Sequence, residues 1–447
     1  MSKRRLLAVV PVLVMVMLLM AVWRASAQDP TPYPTQTPYP TQTSYPTQTP
    51  YPTFTPIGQQ TEGTAEPQST GPIQTGDMSV QWVADDQLYE SRYPEGMTFS
   101  IKITSSAGLI EQARVVWTHA PGRQNTLPAE IVNPETGELL AEWEHTSGNR
   151  PPWLGIEYWW EVTDAQGNGY STVHVTGAYE DNTREWLYGE SEDIIVYANA
   201  LPQSVIDDTI SAMRSQRETY RAAWGGLLPF KPRAILFGDR AVWEEWQEGV
   251  VNQAVIGTTN LSWGATVQLH TGSSPLSDIS FGTVPHEIAH LYQAWFAPTG
   301  FPSGTWWIEG NATFFELERQ YDYEGRVRNL AANGELPVLL QGTGPNPSGL
   351  GPDGIGRLGY DVGYTFFKWL VQNYGLEAHH ELVELLQSSD ITRNEALETV
   401  TGLTVEEIET EWREWLGAEG PAPTLAPTWT PQVFPSPTPF IFPTEEG

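Results

Sequence analysis

The pattern of hydrophobic and polar positions divides the chain into two regions of different character. Between residues 77 and 179, short runs alternate apolar and polar residues, as half-buried β-strands do. The predicted strands are Val80–Val83, Met97–Ile103, Ala113–Thr118, Leu139–His145, Gly155–Thr163 and Tyr170–Thr176. Six or seven strands in about 100 residues predict an all-β sandwich of the immunoglobulin-like or fibronectin-like type over residues 76–179.

Four tryptophans are expected to help fill the core of this sandwich: Trp117, Trp143, Trp159 and Trp160. The alternative is that they form an exposed aromatic face that binds carbohydrate.

In the second region, residues 180–417, the pattern predicts a small sheet followed by helices. Asp193–Ala198, Arg233–Phe237 and Asn260–His270 are typical of strands, whereas Gln203–Trp224 has helical spacing. From Phe281 onward the pattern is helical to the end of the region. This order predicts an α+β domain.

The two ends of the chain have compositions that do not support a core. Three basic residues at positions 3–5 precede an apolar run, Leu6–Trp23, and Ala25 and Ala27 fit an export cleavage site. We therefore expect a signal peptide over residues 1–27, with an uncleaved N-terminal anchor as the alternative. Residues 28–75 hold 11 prolines and residues 418–447 hold 8, and neither stretch contains Lys or Arg. They are predicted to be a disordered Pro/Thr-rich stalk and a disordered Pro-rich tail.

Charge and cysteine content narrow the classes of partner. With 23 Lys and Arg against 54 Asp and Glu, the formal charge of -31 argues against nucleic acid or an anionic membrane surface as a partner. The chain has no cysteine, which excludes disulfides, thiolate metal sites and cysteine nucleophiles. An exported chain without cysteine is typical of bacteria, and we expect it outside the cell or on the cell surface.

The sequence Thr283–Leu291 contains a His-Glu-x-x-His motif made by His286, Glu287 and His290. On a helix, positions i and i+4 lie on one face about one turn apart, so two imidazoles there can hold one zinc ion. The intervening glutamate can reach a water molecule beside the metal.

A catalytic zinc takes three protein ligands, and Glu309 follows His290 after 18 intervening residues. This spacing resembles the gluzincin metallopeptidases, in particular the bacterial peptidase MA-like domains and, more distantly, the aminopeptidase N-type enzymes. The resemblance implies a thermolysin-like zincin domain over residues 180–417. It also implies one Zn²⁺ per chain on His286, His290 and Glu309, with Glu287 as the general base.

The resemblance also implies an oxyanion-stabilising tyrosine in a Tyr-x-x-Gly pattern, which Tyr360–Gly363 matches. Tyr364 is the competing candidate, and core packing is the alternative for either ring. Glu316 lies seven residues after Glu309 and could accept a hydrogen bond from a ligand imidazole, or could be a solvated helix acid.

The predicted function is therefore an exported zinc-dependent peptidase that acts on peptide or protein substrates. The family's Gly-x-Met-Glu-Asn motif, whose acid binds the substrate amine, has no match in the predicted edge strand Leu261–His270. The resemblance therefore does not extend to aminopeptidase specificity, and endopeptidase and exopeptidase action both stay open. The alternatives are a non-catalytic adhesion or cell-wall-binding protein, with glycan contacts through the sandwich or stalk, and a zinc hydrolase for non-peptide bonds.

Overall fold

A computed structural model of the chain describes residues 71–119, 124–248, 256–298, 304–319, 321–340, 357–388 and 390–419. The predicted signal peptide, and nearly all of the predicted stalk and tail, lie outside these residues. Among the helices that are described, none combines the length and the apolar character needed to cross a membrane.

Two antiparallel sheets pack face to face in the first region. Their strands are β1 (Ile73–Thr75), β2 (Trp82–Arg92), β3 (Gly96–Ser105), β4 (Ile110–Thr118), β5 (Asn125–Pro128), β6 (Glu130–Asn133), β7 (Glu138–Glu144), β8 (Gly155–Asp164), β9 (Gly169–Ser171) and β10 (Val175–Ala178). One sheet has the order β1-β9-β8-β4-β5 with β10 beside β8, and the other has the order β2-β3-β7-β6. Alternating side chains of β3, β4, β7 and β8 fill the space between them.

The observed strands correct three details of the prediction. The predicted strand Tyr170–Thr176 is two strands, because β9 and β10 pair with β8 at separate registers. Strand β1 lies inside the segment predicted as stalk and pairs with β9, so the sheet begins at Ile73. Trp160 is fully buried between the sheets, whereas Trp159 points to the opposite face of β8 and stacks on His174. The immunoglobulin-like identity of this region stays a prediction.

The second region begins with a five-stranded sheet. Its strands are β11 (Leu187–Glu190), β12 (Ile195–Asn199), β13 (Arg233–Phe237), β14 (Gly257–Asn260) and β15 (Ala265–Leu269), in the order β11-β12-β13-β15-β14. The three inner strands are parallel, and both edge strands run antiparallel to their neighbours.

The predicted strand Asn260–His270 is wrong in its first half. Leu261–Trp263 forms a 3-10 turn that ends at Gly264, whose φ of 61° is left-handed and cheapest for glycine. The following strand, β15, lies between β13 and β14, so the edge of the sheet is β14. Strand β14 contains no acidic residue either.

Eight α-helices are described in this region: α1 (Gln203–Trp224), α2 (Arg240–Glu245), α3 (Val284–Phe296), α4 (Thr305–Phe314), α5 (Tyr323–Ala332), α6 (Arg357–Leu385), α7 (Arg393–Thr401) and α8 (Val405–Leu416). A π-helical turn, Asp278–Thr283, leads directly into α3. One hydrophobic core lies between the sheet and helices α1 and α3. A second core is formed by the five helices from α4 through α8. Helix α6 is interrupted at Gly375, whose φ of 86° and ψ of 173° are not helical. The thermolysin-like identity of this arrangement also stays a prediction.

Helices α4 and α6 cross main chain against main chain at two glycines. A Cβ atom on Gly310 would lie 2.3 Å from the Cα atom of Gly363, and one on Gly363 would lie 1.8 Å from the carbonyl oxygen of Trp306. Real Cβ atoms do not make contacts this short, so only glycine permits this approach. The crossing places Tyr360, one turn before Gly363, beside the helix that carries Glu309.

Candidate metal centre

Helix α3 carries the His-Glu-x-x-His motif on a face that is buried against α4. Its apolar residues Val284, Ile288 and Leu291 pack into the core, and Pro285 occupies the first turn, where its missing N–H is not needed. The opposite side presents His286, His290 and Gln293 at helical spacing. The predicted helix and the shared face of its histidines are thus both present.

Three side chains converge from α3 and α4 on one point. His286 Nε2 lies 3.1 Å and His290 Nε2 lies 3.4 Å from Glu309 Oε2. One donor atom from each of the three residues falls within 4.8 Å of the others, a separation that suits a shared cation. The structure therefore brings together the three residues predicted as ligands.

The other nitrogen of each imidazole has a partner that selects the tautomer. His286 Nδ1 lies 3.0 Å from Glu316 Oε1, and His290 Nδ1 lies 2.8 Å from Gln293 Oε1. Because both partners are acceptors, the Nδ1 atoms carry hydrogen, so a cation that displaces the Nε2 protons would bind the Nε2 lone pairs. Two imidazole nitrogens and one carboxylate are a donor set that zinc prefers, so these residues fit a zinc ion.

Electrostatics at this point favour positive charge. Burial alone would lower the pKa of His286, but hydrogen bonds and the charges of Glu309 and Glu316 outweigh it and raise the pKa to about 10. Glu309 raises the pKa of His290 against the same effect of burial. Burial would raise the pKa of Glu309, but the two imidazoles hold it well below its usual value. The same carboxylates would stabilise a divalent cation bound at this point.

Glu287 is held by hydroxyl groups of the sheet. Thr259 of strand β14 donates a hydrogen bond to Glu287 Oε2. The Thr259 hydroxyl lies 2.9 Å from the hydroxyl of Thr266, which accepts from Gln268 Nε2 at 2.7 Å. Thr266 and Gln268 are both buried on β15. One carboxylate oxygen of Glu287 is therefore anchored to the edge of the sheet.

The two candidate tyrosines lie in different surroundings. The ring of Tyr360 is nearly parallel to that of His286, with 5.9 Å between centroids and 13° between planes. Tyr364 is buried edge-on against Tyr323, and the guanidinium of Arg319 lies 4.5 Å from its ring centroid. Of the two, Tyr360 is the one beside a predicted ligand.

Several residues at the centre agree with the sequence interpretation or extend it. Glu316 accepts from His286 although α4 ends before it, and Tyr323 donates to its other oxygen at 2.9 Å. Sequence reasoning missed Gln293, Thr259 and Asn311, of which only Gln293 carried a local signal, its spacing from His290. His379, a histidine outside the motif, is also buried, with 1% of its surface exposed.

Comparisons with known proteins add little to this picture. No protein-family model matches the sequence, and no curated protein matches it. Among solved structures, the chain aligns with a polysaccharide deacetylase from Bacillus cereus at 9% sequence identity and a TM-score of 0.16, over 47% of this chain and 78% of the other. A likeness at that level carries no argument about fold or function.

Proposed function

We propose that this chain is an exported zinc-dependent peptidase that hydrolyses peptide bonds of peptide or protein substrates. The observation that carries the proposal is the convergence of His286, His290 and Glu309, with Glu287 between the two histidines on the same helix. A ligand set together with a neighbouring base is the minimum for metal-assisted hydrolysis.

Each residue at the centre has a role in this proposal. His286, His290 and Glu309 would hold one zinc ion, which when bound supplies a Lewis acid that polarises water and the scissile carbonyl. Glu287 would take a proton from the attacking water and deliver it to the amine nitrogen as the C–N bond breaks.

Two further residues would act around that proton transfer. Thr259 would hold Glu287 Oε2 so that the other oxygen can accept the proton. The Tyr360 hydroxyl would donate a hydrogen bond to the carbonyl oxygen as it gains negative charge.

Substrate preference follows from the edge of the sheet. Strand β14 lies beside Glu287 and offers no acid to bind a free amino terminus. We therefore expect internal bonds or blocked peptides to be cut at least as well as substrates with a free amino terminus. A clear preference for unblocked aminoacyl anilides would contradict this part of the proposal.

The proposal is tested by separating metal binding from proton transfer. The wild type should carry about one zinc per chain, and His290→Ala should lose it. Glu287→Gln should keep both fold and zinc but lose about two to four orders of magnitude in activity, because its amide cannot accept the proton. Zinc content and digestion of an unbiased peptide library measure the two properties.

The matched control is Glu318→Gln, which makes the same chemical change at an exposed position and should leave activity unchanged. If the wild type offered zinc binds none, the metal assignment fails. If wild type and Glu287→Gln bind zinc but are equally inert on the library, the peptidase proposal fails. A non-catalytic surface role replaces it if both proteins also bind the same surface ligand.

A further inference from the structure

A continuous chain of buried hydrogen bonds leads away from His290 through three helices. Gln293, Asn311 and His379 are at most 5% exposed, so all three are shielded from solvent. Gln293 Nε2 lies 3.0 Å from Asn311 Oδ1, and Asn311 Nδ2 lies 2.7 Å from His379 Nε2. His379 Nδ1 lies 2.6 Å from the carbonyl oxygen of Ala223, at the end of α1. Burying polar groups costs folding free energy, so a series of buried hydrogen-bonded side chains suggests a functional role.

The direction of every hydrogen bond follows from the last one. A carbonyl oxygen can only accept, so His379 Nδ1 carries hydrogen and its Nε2 accepts from Asn311. The Asn311 oxygen therefore faces Gln293, whose amide nitrogen donates to it and to the Ile308 carbonyl at 2.8 Å. The Gln293 oxygen is then left to accept from His290 Nδ1.

If these hydrogen bonds ran in the opposite direction, His290 could not bind a metal ion. If Asn311 and Gln293 both turned over, the Gln293 amide nitrogen would donate to His290 Nδ1. The imidazole hydrogen would then sit on Nε2, the atom that faces Glu309, and would block a cation there. The Ile308 carbonyl would also lose its donor.

The surroundings of His379 keep it in place. Its ring is enclosed by Trp224, Phe315 and Phe367, with centroids 4.9 to 5.9 Å away. The break of α6 at Gly375 separates the segment that carries His379 from the segment that carries Tyr360. Burial lowers the pKa of His379 to about 4, so the ring is neutral at physiological pH, as the hydrogen-bond order requires.

We propose that the side chains of Gln293, Asn311 and His379, here called the relay, fix the tautomer and orientation of His290. The Ala223 carbonyl sets the direction of the first hydrogen bond in this relay, and each following bond takes its direction from the one before. His379 is thus a positioning residue for the metal, although it lies outside the motif and touches no predicted ligand. This inference rests on the zinc site of the proposed function, and it assigns a role to a histidine that the peptidase motifs do not include.

The experiment measures zinc affinity by competition with a chelator, without any assay of catalysis. His379→Leu leaves Asn311 without an acceptor, and we expect zinc affinity to fall about 10- to 100-fold. His379→Gln can both accept from Asn311 and donate to Ala223, and it should restore affinity to within about threefold of wild type. His380→Gln is the matched control, because His380 lies outside the relay near Glu384, and its affinity should be unchanged.

A purely structural role for His379 predicts a different result. His379→Leu would then lower the melting temperature of zinc-free and zinc-loaded protein equally, and the chelator competition would give the wild-type affinity. That outcome overturns the relay but leaves the peptidase proposal standing. A wild type that binds no zinc would defeat both.

A second pair of variants keeps the test decisive if His379→Leu does not fold. Gln293→Met removes the acceptor of His290 with little change in volume, whereas Gln293→Glu keeps an acceptor at the same position. The relay predicts weaker zinc binding by at least about tenfold for Gln293→Met, and tighter binding for Gln293→Glu than for Gln293→Met. Equal affinities in wild type and Gln293→Met would refute the positioning role.

Discussion

At the scale of single residues, two neighbouring tyrosines of α6 offer a sharp test of the site. Tyr360 stacks beside His286, whereas Tyr364 is enclosed by Tyr323 and Arg319. We expect Tyr360→Phe to keep zinc and lose about two to three orders of magnitude in kcat, the usual effect of one oxyanion donor. Tyr364→Phe keeps the ring that packs against Tyr323 and Arg319 and should leave kcat nearly unchanged. If steady-state assays show instead that Tyr364→Phe lowers kcat more than Tyr360→Phe, the oxyanion donor is Tyr364, one helical turn further along α6.

Thr259 gives a second test at this scale. A hydrogen bond to a charged carboxylate contributes about 1.5 to 3 kcal/mol, and Thr259→Val removes the one that holds Glu287 Oε2. We expect kcat to fall about tenfold or more, with zinc content unchanged, because Glu287 is no longer oriented. Thr259→Ser keeps the hydroxyl and should retain most of the activity. If the valine and serine variants have the same kcat, Thr259 has no positioning role.

Local geometry accounts for three of the residues predicted at the site, whereas Glu309 lies on another helix and was predicted only from a spacing that resembles a known family. His286, Glu287 and His290 share one helix, so their relation follows from 3.6 residues per turn. His379 could not be placed, because its neighbour Asn311 comes from a different helix and its acceptor, the Ala223 carbonyl, from a third. Contacts of that kind depend on packing, which a linear pattern does not contain.

At the scale of elements, the crossing of α4 and α6 predicts a strict requirement for glycine. Gly363→Ala would place a Cβ atom 1.8 Å from the main-chain oxygen of Trp306, so the helices must move apart. Overpacking of this kind costs about 1 to 3 kcal/mol, and we expect a loss near the upper end. Gly226→Ala is the control, since its Cβ atom would make an ordinary 3.7 Å contact with Phe296. Denaturant unfolding measures both, and equal stabilities would contradict the crossing.

Element bounds were predictable where the pattern was strong and uninterrupted. Gln203–Trp224 and Arg233–Phe237 have their predicted ends, because an amphipathic helix and an apolar inner strand each leave an unambiguous periodicity. Asn260–His270 was mispredicted because a left-handed glycine changes the chain direction without interrupting the run of uncharged residues. The order of strands in the sheet also had no counterpart in the linear pattern.

At the scale of the whole molecule, the buried imidazole of His379 predicts acid sensitivity. Its pKa is about 4 in the folded protein, below the ordinary value of 6.5, so only the unfolded chain takes up this proton between those values. The stability that His379 contributes is complete above pH 6.5 and is lost as the pH falls, at about 1.4 kcal/mol per pH unit until about pH 4.

Denaturant unfolding of chelator-treated protein between pH 7 and 5 checks this expectation. His379→Gln should remove that part of the slope, whereas His380→Gln should change it far less, because the charge of His380 is the smallest of the causes that act on the pKa of His379. A slope that is the same in wild type and His379→Gln would show that His379 takes up its proton equally in the folded and the unfolded chain, and would contradict the lowered pKa.

The contact between Gly310 and Gly363 limits how the distance between α4 and α6 could be changed by protein design. Because two backbones touch there, the span from Glu309 to Tyr360 is determined by main-chain atoms and owes little to the size of surrounding side chains. A designer could therefore change the size of side chains around the metal centre and leave the spacing of these two groups unchanged. Apart from changes at the two glycines themselves, which would force the helices apart, a longer distance between these groups would require a new helix register.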